Sequence, residues 1–165
     1  KDELNKILLE QKSIRLTKID VDKLSDYYKA PILEEKEQIF NSFVSLNKYL
    51  VENIQVYELK QALIQFGKKT KDVQSLGSLK TFEFYLKDIL NIEDASTLIS
   101  PLYVLNDLRQ LQSHLVNSSY SQKYESCKYR LTIESNASDF EVYKKLIDSL
   151  IQFYSKLIKS LTQGN

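Results

Sequence analysis

Residues 139–162 read DFEVYKKLIDSLIQFYSKLIKSLT, and their spacing decides the fold class. Phe140, Tyr143, Ile147, Leu150, Tyr154, Leu157 and Leu161 alternate steps of three and four, so they fall on one side of a helix with 3.6 residues per turn. Leu146, Ile151, Phe153 and Ile158 broaden that side, which calls for neighbours on more than one flank. Ser138 and Asp139 stand where a side-chain oxygen can accept a free first-turn amide hydrogen, and Gly164 stands where the chain can turn out of the helix. The spacing predicts a helix over residues 139–162.

Upstream, Ser100 and Pro101 put a proline at the first helical position, where its missing amide hydrogen costs nothing. Leu102, Leu105, Leu108, Leu111, Leu115 and Val116 then form the apolar side of a second helix, 100–116. Gly77 breaks the chain ahead of a third, 78–91, marked by Phe82, Tyr85, Leu86, Ile89 and Leu90. Ile39, Phe40, Phe43, Leu46, Leu50, Val51 and Ile54 keep helical spacing behind the acidic pair Glu34 and Glu35, which suits the positive end of a helix dipole. Val56, Leu59, Leu63 and Phe66 continue until Gly67, and the sequence leaves open whether 31–66 is one bent helix or two.

The first 30 residues carry weaker signals: a short helix at 2–12, an extended stretch at 12–20, and another helix at 20–29 that ends before Pro31. Residues 117–137, rich in Ser, Asn and Tyr, read as a long loop, a length that in a compact domain is usually functional or mobile. The expected architecture is all-α: an antiparallel helical bundle of four to five main helices over 31–165, with a helical arm at 1–30, in one domain.

Composition narrows the function classes. At 165 residues, with 42% hydrophobic and 27% charged side chains, three Gly and two Pro, the chain can build its own core and is neither collagen-like, disordered nor turn-rich β. One cysteine, Cys127, and one histidine exclude an internal disulfide and a tetrahedral Cys/His zinc site. Glu34, Glu35 and Glu37 lack the Glu-x-x-His companion of a carboxylate di-metal bundle, and no glycine-rich phosphate loop is present, so no cofactor is expected. A net charge of +1 provides no general cationic field, so nucleic-acid binding has to be local. The absence of a long apolar run and the charged first residues point to a soluble, cytoplasmic chain with no membrane partner. A start at Lys1 and the lack of methionine suggest a piece of a longer polypeptide, and lysine-rich, arginine-poor usage suggests an AT-rich bacterial genome.

The scarce residues carry the chemistry. Only three arginines are present, yet one of them, Arg109, precedes the single histidine, His114, by five positions in Asn106-Asp107-Leu108-Arg109-Gln110-Leu111-Gln112-Ser113-His114-Leu115. An imidazole titrating near neutral pH is suited to moving the 2′-hydroxyl proton of RNA, and a permanent planar cation is suited to holding phosphate oxygens, with no metal needed. A five-residue step separates the two side chains by about 140° around an ideal helix, so they converge only where the helix frays or a second chain completes the site. The plainer alternative pairs Arg109 with Asp107 or another surface acid and leaves His114 at the negative end of the dipole. Tyr120, Tyr124 and Tyr129, with Lys123, Lys128 and Arg130, interleave stacking surfaces with positive charge as single-stranded RNA binders do, or else pack as a lid over the core. Lys68, Lys69 and Lys71 read as a solvated cluster, and Cys127 as a small buried thiol.

The stretch from Leu105 through Arg109 to His114 and Leu115, late in a helix and followed by another long amphipathic helix, resembles the HEPN superfamily (higher eukaryotes and prokaryotes nucleotide-binding). The resemblance spans the chain from residue 79 to the end. It implies a short helical bundle with an Arg-x4–6-His motif and, in many members, a metal-independent RNA endonuclease of toxin–antitoxin or antiphage systems that works as a homodimer. Arg109 would then stabilise the phosphate, His114 would be the acid or base, and Gln110 would fill the polar position after the arginine. Where the family often has Asn, Asp or His after the arginine and Tyr two places past the histidine, this chain has Gln110 and Val116. From a different class, the alternative is a non-catalytic helical domain that binds a protein partner within a larger polypeptide.

Overall fold

The computed structural model describes residues 1–18, 28, 30–32, 34–112 and 120–163. Among them are nine helices and no strand: α1 Asp2–Lys12, α2 Lys36–Asn47, α3 Val56–Gln65, α4 Thr70–Gln74, α5 Ser78–Phe84, α6 Ala95–Leu98, α7 Ser100–Gln112, α8 Tyr120–Arg130 and α9 Asp139–Gln163. The chain is all-α, as its apolar periodicity requires. Helices α2 and α5 run on without a break into five-residue π-helical turns, Lys48–Glu52 and Tyr85–Ile89.

Helix α9 follows from its sequence almost residue for residue. Val142, Tyr143, Leu146, Leu150, Phe153, Leu157 and Leu161 are buried along it. Ile151, expected to widen the buried side, is instead 59% exposed, on a flank that the described helices leave open. The helix opens with a reciprocal cap. The Glu141 amide donates to Ser138 Oγ at 3.2 Å, and the Glu141 carboxylate accepts the Ser138 amide at 2.7 Å. Those Ser138 hydrogen bonds, backbone first and hydroxyl second, hold the Glu141 carboxyl below the usual carboxylate range.

Helix α7 is the hub: it packs against α2, α6, α8, α9 and the π-helical turn after α2. Leu102, Val104, Leu105, Leu108 and Leu111 are fully or almost fully buried, so apolar residues fill two faces of this helix rather than one stripe. Phe40 and Phe43 of α2 meet edge to face at 5.5 Å, and Phe82 of α5 meets Phe153 of α9 in the same geometry at 6.4 Å.

The stretch 31–66 resolves into two helices. At residues 53–55 the backbone leaves the helix to meet the segment after α1 in an antiparallel bridge between Thr17 and Ile54. The Lys18 amide donates to the Asn53 carbonyl at 2.9 Å and the Gln55 amide to the Leu16 carbonyl at 2.8 Å. The extended reading of this N-terminal stretch thus holds at its bridge. Helix α1 ends at Ser13 in the left-handed region (φ 53°), with its amide on the Leu9 carbonyl, and this turn redirects the chain toward the bridge. Leu4, Leu8 and Leu16 join the common core, and α1 packs on α9. The helix expected at 20–29 lies outside the described residues except for Tyr28, which is not helical and whose hydroxyl is hydrogen-bonded to that of Tyr143.

The long loop expected at 117–137 is not one. Residues Tyr120–Arg130 form α8, packed on α7. Tyr120, Tyr124, Cys127 and Leu131 recur at steps of four, three and four with no Gly or Pro between them, and that spacing outweighs a Ser- and Tyr-rich composition. Residues 117–119 lie outside the described residues, and after α8 comes a short connection in which Thr132 (φ 58°) takes the left-handed position and the Ile133 amide caps the Lys128 carbonyl.

Three substitutions test this packing by urea denaturation. Leu108→Ala, at a fully buried position on the hub, is expected to lower stability by about 2–5 kcal/mol. Ile151→Ala is expected to change it by no more than about 0.5 kcal/mol. Tyr85 is fully buried, its phenol is pushed up to about 12 by burial, and its hydroxyl has no hydrogen-bond partner among the described residues. Tyr85→Phe should therefore raise stability, by about 1 kcal/mol.

Candidate functional site

The second half of α7 presents three surfaces. Leu108 and Leu111 face the core, Arg109 faces the π-helical turn after α2, and Asp107 and Gln110 face α8. Arg109 donates from Nη2 to Glu52 Oε1 at 2.8 Å, and both side chains stay partly open, 40% and 44% exposed. The same Glu52 oxygen accepts a 3.1 Å hydrogen bond from Asn47 Nδ2. Asn47 itself is 1% exposed, and its Oδ1 has no partner among the described residues. Glu52 is the last residue of the π-helical turn, and Lys18 grips it from the bridge side, its Nζ donating to the Glu52 carbonyl at 2.8 Å.

On the other surface, Arg130 Nη1 donates to Asp107 Oδ2 at 2.5 Å. Beside that pair a groove of about 230 Å³ lies between α7 and α8, lined by Asp107, Gln110, Lys123 and Ser126. Further along α7 the Tyr103 hydroxyl donates to Glu83 Oε2 at 2.8 Å, and Lys80 Nζ sits 2.8 Å from Glu83 Oε1. Burial raises the Glu83 carboxyl, but the hydrogen bonds from Lys80 and Tyr103, with the charges of Lys80 and Lys87, outweigh it and hold the group below its usual range. Burial pushes the Tyr103 phenol up, and its bond to Glu83 adds to the shift.

The residues expected to contact RNA therefore divide. Gln110 and Lys123 are exposed and share the α7/α8 groove. Arg130 is partly exposed and paired with Asp107, and Tyr129 is 85% exposed. Tyr124 and Lys128 are corrected: both are buried. The Tyr124 hydroxyl donates to Asp139 Oδ1 at 2.5 Å, and the Lys128 ammonium donates to the Ser135 carbonyl, 3.4 Å from Glu125 and over the Tyr124 ring. The reason is helical geometry. Positions 120, 124, 127, 128 and 131 share the face of α8 that the protein covers, and Lys128 reaches its acceptors along a buried stem. Tyr120 is half-buried against Tyr124, with Lys36 Nζ 5.2 Å from its ring centre. His114, Leu115 and Val116 lie outside the described residues.

Sequence reasoning identified Arg109 but not its surroundings. The pairing with a surface acid holds, but the acid is Glu52, 57 positions away, and Asp107 takes Arg130 instead. No local pattern marks Glu52 or Asn47, because their role comes from packing α2 on α7. Among the described residues, no group of three or more His, Cys, Asp or Glu side chains is close enough to hold a metal ion. No described helix is long and apolar enough to cross a membrane.

Cys127 is buried, and burial first, with the Asp107 carboxylate second, pushes its thiol up to about 12. A raised value keeps the thiol protonated at neutral pH. Its reaction with a colorimetric disulfide reagent at pH 8 should be more than about a hundredfold slower in the native protein than in urea. Equal rates in the two conditions would show that the site opens readily.

Comparison with protein-family models, with curated proteins and with solved structures finds no match to this chain.

Proposed function

We propose that this chain is a HEPN-like RNA-binding domain that cleaves RNA without metal as a homodimer, in a toxin or antiphage-defence system. Arg109 holds the phosphate in this reading, and His114 moves the proton. The observation that supports it is the state of Arg109: a partly exposed side chain that meets Glu52 through Nη2 alone. Among the described residues its other edge has no partner, and a phosphate can take that edge in a two-pronged contact. The exposed pair with Glu52 contributes at most about 1 kcal/mol, too little to bar an incoming phosphate.

In the reaction, the His114 imidazole accepts the 2′-hydroxyl proton as that oxygen attacks phosphorus. The bond to the 5′ oxygen breaks, leaving a 2′,3′-cyclic phosphate and a 5′-hydroxyl that takes its proton from a protonated imidazole. On an ideal helix a five-residue step would set Arg109 and His114 about 140° apart, and this is the reason for two chains: an arginine of one copy can meet a histidine of the other. Gln110 and Lys123 in the neighbouring groove extend the contact surface for the strand.

The protein-interaction reading has an observation in its favour as well. Arg130 is paired with Asp107, and Tyr124 and Lys128 are buried, which removes much of the positive and stacking surface an RNA strand would use.

A fluorescent oligoribonucleotide in EDTA separates the two. His114→Ala is expected to lower cleavage by at least about a hundredfold and to leave binding and the melting temperature unchanged. Arg109→Ala should weaken binding and cleavage together, and Lys123→Ala should reduce the slope of log affinity against log salt by roughly one contact. If all three variants match the wild type in RNA binding and cleavage, the interaction domain is the better reading.

A further inference from the structure

We infer that Glu52, held by Asn47, is the positioning residue of Arg109; its use in gripping phosphate rests on the RNA reading above, but the positioning itself does not. An arginine on an exposed helix face samples many rotamers, and a ligand that uses it has to order it first. Here the ordering is already done. The Glu52 oxygen sits 2.8 Å from Arg109 Nη2 and 3.1 Å from Asn47 Nδ2, so one acceptor is fixed between two donors.

Each side of this chain of contacts is anchored. Arg109 stands between Leu108 and Leu111 on α7, whose side chains are fully or almost fully buried. Glu52 closes the π-helical turn, a feature that recurs at functional sites in proteins. Its own carbonyl accepts from Lys18 Nζ at 2.8 Å, and the next carbonyl, that of Asn53, accepts the Lys18 amide at 2.9 Å. The carboxylate therefore leaves a backbone that Lys18 holds at two successive carbonyls.

Asn47 supplies the argument that this is more than a surface ion pair. It is almost wholly buried, its Nδ2 goes to an exposed carboxylate, and its Oδ1 is left without a partner among the described residues. For stability alone that is a poor arrangement, since a buried acceptor goes unmet for the sake of a bond to a group that water would otherwise satisfy. As a way of fixing the direction of Glu52, and through it the open edge of Arg109, it is effective. The single Nη2 contact leaves the remaining donors of the guanidinium free for a second acceptor.

The test uses arginine side-chain NMR. With three arginines in the chain, 15N-arginine labelling gives a sparse Nε–Hε spectrum, and loss of one signal in Arg109→Lys assigns Arg109. The heteronuclear NOE of that signal is expected to be that of a rigid group in the wild type and to collapse in Glu52→Ala. Glu52→Gln should keep the order, because the amide oxygen still accepts. Glu52→Asp should lose it, because the charge remains but the reach is shorter by one methylene.

Binding of a fluorescein-labelled oligoribonucleotide is expected to weaken about fivefold in Glu52→Ala and less than about twofold in Glu52→Gln. An Arg109 signal equally rigid in the wild type, Glu52→Ala and Glu52→Asp overturns the inference. So does tighter RNA binding in Glu52→Gln, which would make Glu52 a competitor for the arginine. An Arg109 that Glu52→Ala disorders, in a protein whose signals respond to neither inorganic phosphate nor the oligoribonucleotide, supports the positioning and overturns the RNA reading alone. Thermal melts of the three Glu52 variants establish that each is folded.

Discussion

Burial of α7 on several sides is the constraint from which the rest of the structure follows. Leu102, Val104, Leu105, Leu108 and Leu111 leave the helix no freedom to rotate or slide without exposing a leucine or opening a void. The elements that cover it are drawn from the whole chain: α2, α6, α8 and α9. The polar positions of α7 are consequently pinned to particular neighbours. Asp107 and Gln110 can look only toward α8, and Arg109 only toward the end of α2. A helix with one apolar stripe would have left those side chains a choice.

The same constraint explains how the N-terminal segment earns its place. Helix α2 has to end where α7 needs its π-helical turn, and it ends at 53–55, where the backbone groups released from the helix find partners in 16–18. Without that bridge, the Asn53 carbonyl and the Gln55 amide would need other partners close to the core. Thr17 is fully buried in the bridge and its hydroxyl has no partner among the described residues, so a polar side chain is tolerated there for the sake of the backbone pairing. Helix α1, through Leu4 and Leu8 against α9, keeps the bridging segment in register.

How far the sequence announces this depends on the range of the interaction. Helix α9 was legible because a 25-residue element repeats its apolar period often enough to outweigh any single exception such as Ile151. The start of α7 was legible from the Ser100-Pro101 signal, which acts within one turn. Helix α8 was not, since its stripe rests on two tyrosines, a cysteine and a leucine, residues whose polar atoms and small size blur the contrast with the exposed face. The break at 53–55 depends on a partner some 37 residues earlier, between Thr17 and Ile54, and no local window contains it. At the site, residue type was readable and partnership was not. Arg109 stood out by scarcity, but Glu52 and Asn47 become part of its surroundings only when α2 lies against α7. Lys128 looked like a surface cation because an i,i+3 acid such as Glu125 suits an exposed lysine equally well, and nothing local reveals that its ammonium reaches the Ser135 carbonyl.

Electrostatics makes the placement of Arg109 matter more than its charge. The net charge is +1, and Arg109, Arg130, Lys68 and Lys80 each sit on a carboxylate, so their fields are largely cancelled within a few ångströms. An anion would feel little attraction at a distance and would have to be recognised at contact, by donors already aimed at it. Contact recognition is sensitive to small displacements, and the aim of Arg109 is set by a line of contacts from Asn47 through Glu52 that is only as straight as the packing of α2 on α7. A change in the leucines under α7 would therefore reach the guanidinium without touching it, which ties the chemistry of this face to the core beneath it.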